Sequence, residues 1–215
     1  MAWDEHIERN EARSRDASNR IPNDPEGRQR QLTRMGNATY AAGLAQLMNG
    51  DQDAAANSLK AAARTYRESY EDAPPGSWGR PIAMIKASIL AGDWAGAEGY
   101  SRWTLDEDST DSDSPIGRYA AALALLTLGR DEEARPVADS IRERDDFPHD
   151  VANAVATLSA EDPLGYTYAI ESVLESFATR DEYLEDLPVA DTVMVLQALA
   201  ERRGMAAELS SPLLA

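Results

Sequence analysis

The run Asp106-Glu107-Asp108-Ser109-Thr110-Asp111-Ser112-Asp113 gathers five carboxylates in eight residues. Asp106, Asp108 and Asp111 are oxygen donors of the kind that hold a hard cation. An EF-hand needs a glycine at the sixth position and a glutamate at the twelfth, and this run has neither. It reads instead as a solvated loop whose charges are free to meet a basic partner. Glu171 and Glu175 stand one helical turn apart. In so acidic a chain they read as a solvated face and not as a catalytic acid/base pair. The two histidines, His6 and His149, lie far apart in sequence. Neither has a second ligand at helical spacing, which argues against a zinc or di-iron site. Gly-x-Ser-x-Gly, P-loop and Gly-x-Gly-x-x-Gly patterns are absent. The expectation is a protein without catalytic residues, cofactor or metal.

Aromatic residues are the other side chains with something to offer. Trp78, Trp94, Tyr100 and Trp103 cluster in a short stretch. Trp94, Tyr100 and Trp103 are expected to be wedges in a core. Trp78 lies in a Pro/Gly loop and is expected to be exposed, where an aromatic ring can anchor an interface. Asp106, Glu107, Asp108, Asp111, Asp113 and Trp78 are therefore the candidate partner-binding residues.

Composition narrows the partner. The 215 residues hold 38 acidic and 21 basic side chains, a formal charge of -17. Only Lys60 and Lys86 are lysines. Such a field repels nucleic acid and favours a basic surface. Acidity of this degree also fits a salt-loving proteome, in which it simply keeps the surface hydrated. Cysteine is absent, so disulfides and thiolate chemistry are excluded. No apolar leader opens the chain and no apolar run is long enough for a membrane span. These features predict a cytoplasmic protein that touches neither nucleic acid nor membrane.

The elements that must position these residues are helices. Three apolar runs end in the same phrase: Gly50-Asp51, Gly92-Asp93 and Gly129-Arg130-Asp131, with Ala55, Ala97 and Ala134 each five residues after the glycine. A glycine that closes one helix and an aspartate that caps the next describe a tight helical hairpin. The pattern predicts helices over 30–49 and 52–72, 81–91 and 93–105, 115–128 and 131–144. Helices follow over 149–160, from Pro163 to about 179, and over 189–203. Periodicity suggests that the last of these is buried against the helix that starts at Pro163. Gly50 and Gly92 are 42 residues apart, and Gly92 and Gly129 are 37 apart. Periods of this size belong to helix-pair solenoids. Residues 1–28 read as a polar arm or loosely attached helix, with Trp3, Ile7 and Ala12 as a thin stripe. Residues 29–215 read as one helical-repeat domain.

Gly43, Gly50, Asp51, Ala55, Leu59 and Ala62 fall where a tetratricopeptide repeat wants small, turn, cap, small, large and small residues. Residues 36–68 thus resemble that repeat. The fold expectation is all-α: stacked antiparallel helical hairpins in a tetratricopeptide-like α-solenoid. The C-terminal third carries Leu187-Pro188, Leu199-Ala200, Arg203-Gly204 and Ser211-Pro212-Leu213-Leu214. With Ala91-Gly92-Asp93-Trp94 upstream, residues 35–214 resemble the immunity protein 49 family. That family often ends in Leu-Pro, where this chain ends in Leu214-Ala215. The resemblance implies an all-helical, non-enzymatic protein that neutralises a cognate toxin by covering its active site. A generic scaffold or adaptor that binds a peptide or protein is the alternative. In both cases the expected partner is a protein, and a basic toxin domain in the first.

Overall fold

The computed structural model describes residues 3–215, and among these it contains helices and no strands. The helices are α1 (Trp3–Ser18), α2 (Pro25–Met48), α3 (Gln52–Tyr70), α4 (Gly79–Leu90) and α5 (Trp94–Asp106). They continue as α6 (Pro115–Thr127), α7 (Asp131–Arg142), α8 (His149–Ser159), α9 (Pro163–Ala178) and α10 (Asp191–Glu201). Consecutive helices from α1 to α9 pack on one another, so the expected stack of helical hairpins is present.

The repeated corners build it. Gly50, Gly92 and Gly129 take φ of +81°, +67° and +70°, a left-handed backbone open to glycine at little cost. At the first corner Gly50 N–H donates to Leu47 C=O at 2.9 Å and Asp51 N–H to Gln46 C=O at 3.0 Å. This is the six-to-one, five-to-two pattern that closes a helix. Asp51 then turns its carboxylate to Ala54 N–H at 3.1 Å and opens α3. Asp93 does the same for Gly96 N–H at 3.0 Å. A fourth corner has this geometry without its glycine. Glu161 adopts φ +52°, and Asp162 caps Gly165 N–H at 3.0 Å. The third corner differs. Arg130 occupies the cap position of α7, which frees Asp131 to pair with Arg203 beyond the end of α10.

Within the first hairpin the small residues have the role their type suggests. A Cβ on Gly43 would stand 2.7 Å from Leu59 Cγ, so α2 and α3 approach closely only with glycine there. Ala55, Leu59 and Ala62 are fully buried.

Two expectations are corrected. The N-terminal arm is a packed helix: α1 lies along α2, with Asn10 and Ala17 buried. Its stripe runs through Trp3, Ile7, Asn10 and Ala17, and Ala12 faces solvent. Polar contacts, which carry no apolar periodicity, add to those of Trp3 and Ile7. Ser14 and Thr39 hydroxyls meet at 2.7 Å, and Arg13 reaches Glu185 at 2.8 Å. The last helix, α10, lies against α9 as expected, and against α4 and α8 as well. Helices α4, α6 and α8 touch in series, and α10 folds back onto α4 and α8 of this row. Leu187 and Val189, just before α10, enter the apolar cluster of α2, α3 and α4. Finally, Trp78 is buried.

Candidate functional site

The acidic corner is built from the end of α5. Asp106 is the last helical residue and Glu107 its C-cap, with Glu107 N–H donating to Trp103 C=O at 3.2 Å. Asp108 takes φ +58° and leads into a 3-10 turn at Ser109–Asp111. Ser109 tucks under the loop and is fully buried. The turn thereby holds Asp106, Glu107, Asp108, Asp111 and Asp113 outward, and all five are exposed. Glu107 accepts a hydrogen bond from the Tyr70 hydroxyl at 3.3 Å. Among the described residues, none of the five has a cation within 4 Å, and no trio of His, Asp or Glu converges on a metal-sized centre.

Trp78 belongs to the floor of this region, not to its rim. It is 8% exposed and lies against α6 at Gly117, where a Cβ would come within 2.7 Å of the indole Nε1. The missing side chain at Gly117 makes the space for the ring. Sequence placed Trp78 in a loop correctly but held no sign of the residue that covers it. The other tryptophans are half-buried. Trp94 carries the Arg202 guanidinium 4.2 Å above its ring, and Trp103 carries that of Arg67 at 4.5 Å. Glu171 and Glu175 are solvent-exposed on α9. His6 and His149 are on α1 and α8, which pack on different neighbours.

Two clusters of charge were not visible in the sequence. The first joins the row to its cover. Lys86 on α4 reaches Asp191 Oδ2, the first residue of α10, at 2.6 Å, and donates to Thr192 Oγ1 at 3.0 Å. The Tyr40 hydroxyl, from α2, donates to the same Asp191 oxygen at 2.8 Å. Burial pushes the Asp191 carboxyl up, but the Lys86 charge and hydrogen bonds from Lys86, Tyr40 and backbone outweigh it, so its pKa is lowered. Burial first and the Asp191 charge second raise Tyr40, Tyr66 and Tyr119 well above the ordinary phenol value. These phenols stay protonated at neutral pH. Every charge here has its partner inside the protein, and the cluster acts as a structural joint.

The second cluster opens outward. The groove between α3 and α5, about 450 Å³, has Lys60, Arg64 and Arg67 on its α3 wall and Tyr100 and Trp103 on its α5 wall. Among the described residues, Lys60 and Arg64 have no carboxylate within 4 Å, whereas Arg67 has Glu71 at 3.6 Å. The Tyr70 ring meets Trp103 edge-on at 4.8 Å, so Trp103 is fixed on two sides. The i, i+4, i+7 spacing of the three cations was legible, but the wall opposite depends on how two hairpins stack.

No helix among the described residues is long and apolar enough to cross a membrane. Compared with protein-family models, curated proteins and solved structures, the chain matches none.

Proposed function

We propose that this chain is a non-enzymatic, protein-binding helical repeat of the immunity type, which holds a cognate toxin domain and covers its active site. One observation carries the reading: five carboxylates held outward on one corner of the hairpin stack, none with a cation within 4 Å among the described residues. Charges left unpaired at a rigid corner draw a basic surface and speed encounter with it. The stack supplies an extended, pre-organised surface on which a partner can be held without chemistry. The resemblance to immunity proteins supports the toxin as that partner.

The test is co-expression with toxin domains encoded beside this gene. Rescue of growth is the expected result, together with a stable complex of the two purified proteins. Neutralising Asp106, Asp108, Asp111 and Asp113 to Asn, and Glu107 to Gln, should slow association and flatten its dependence on salt. On-rates that stay equal to those of the unaltered chain from low to high salt would remove the corner from the mechanism. Failure of every neighbouring toxin domain to bind would end the immunity reading.

A further inference from the structure

We infer that the groove between α3 and α5 is a docking site for an extended acidic segment of a protein partner, with carboxylates on alternate residues and an apolar side chain between them. This inference rests on the chain being a protein-binding module, but on neither the acidic corner nor the toxin.

Charge complementarity is the first support. The protein carries a formal charge of -17, yet Lys60 and Arg64 stand side by side in the groove without a carboxylate partner among the described residues. The one carboxylate in the groove wall, Asp93, is engaged in capping Gly96 N–H at 3.0 Å. A long polyanion such as nucleic acid would feel the repulsion of the whole surface. A short segment seated in the groove interacts mainly with charges within a screening length of about 8 Å.

Geometry chooses an extended peptide. Lys60 and Arg64 are four residues apart, a rise of about 6 Å along a helix. Carboxylates two residues apart on an extended strand repeat at about 6.6 Å. Alternate side chains of such a strand point to opposite walls. Acids facing α3 therefore place the intervening side chain on α5, against Tyr100 and Trp103. Arg67 lies over Trp103 at 4.5 Å and holds that ring in place before any ligand arrives.

Gly99 is an independent sign. It lies inside α5 and lines the groove, and a Cβ there would meet nothing within 4 Å. Packing within the protein gives no reason for glycine. A glycine inside a helix is less stable there than alanine. The residue keeps open a channel that any larger side chain would narrow. Gly96 differs, because a Cβ there would stand 2.6 Å from the Asp93 carboxylate.

The test is fluorescence anisotropy on the full chain with the fluorescein-labelled peptide Gly-Ser-Glu-Leu-Glu-Leu-Glu-Ser and its all-glutamine counterpart. Saturable binding of the acidic peptide is expected, at least about tenfold tighter than the glutamine form. The double variant Lys60→Glu/Arg64→Glu should abolish it. Gly99→Leu should weaken it by at least about tenfold while leaving the melting temperature equal or higher, because leucine is the better helix former. The carboxylate-to-amide changes of the acidic corner should leave peptide binding unaltered, so either proposal can fail alone. Equal affinity for the two peptides, or full affinity in Gly99→Leu, would overturn the inference. So would self-association of the unaltered chain that disappears in Lys60→Glu/Arg64→Glu, since a second copy would then fill the groove.

Discussion

The two lysines of this protein occupy opposite settings. Lys86 stands between α4 and α10 with its side chain 12% exposed, bonded to Asp191 and Thr192. Lys60 lines an open groove and has no carboxylate within 4 Å among the described residues. A buried ammonium without a partner is costly, so the first position demands an anion from elsewhere in the chain. The second position demands nothing of the fold. Charges satisfied internally hold structure, and charges left over on a rigid wall are available to something outside.

The contrast can be broken at its inner end. Lys86→Met leaves the Asp191 carboxylate buried without its cation and should cost about 3–5 kcal/mol in chemical denaturation. The double variant Lys86→Met/Asp191→Leu should recover most of that loss. The loss should also depend on pH. Asp191 has a lowered pKa in the folded protein, so its contribution is complete above the unfolded carboxyl value near 3.9 and fades as the pH falls through its folded value. Without Lys86, burial raises that pKa instead. The gap between the two proteins should therefore be widest at neutral pH and narrow below about pH 4. A constant gap across that range would mean that packing, not charge, sets the loss.

A smaller change sharpens the same comparison. Tyr40→Phe deletes one hydrogen bond to the carboxylate and keeps the ring, for an expected cost of about 1.5–3 kcal/mol. The smallest effect belongs to the groove. Lys60→Met should alter stability by less than about 0.5 kcal/mol, as expected for a surface side chain outside any internal network. A larger loss would show that the groove cation serves the fold after all.

Local signals made the hairpins legible. Each glycine–aspartate corner is closed by bonds within six residues, so it can be read in one glance along the chain. Gly43 and Leu59 were legible for the same reason, as neighbours across a single corner. The Glu161 corner lacks the glycine signal, because a non-glycine residue takes the left-handed backbone there, and Asp162-Pro163 marks it instead. The packing of α1 was read as loose because its apolar stripe is thin, and Ser14 and Arg13 add contacts through a hydroxyl and a charge that apolar periodicity does not mark. Trp78 was misjudged because the gap that buries it is a missing side chain on α6. The Lys86–Asp191 pair joins residues about half the chain apart, and no spacing rule connects them. The acidic corner was legible as a set of exposed charges, while the groove needed the mutual placement of two hairpins.

The return of α10 onto α4 and α8 imposes an order on biosynthesis. Lys86 leaves the ribosome long before Asp191 has been translated, and the inner sides of the early hairpins emerge before their cover exists. The nascent polypeptide thus passes through a stage with uncovered apolar surface and an ammonium still in water, a stage open to aggregation or chaperone capture. Only residues 187–215 end that exposure, so translation that stops just short of them yields helices whose most vulnerable side is bare.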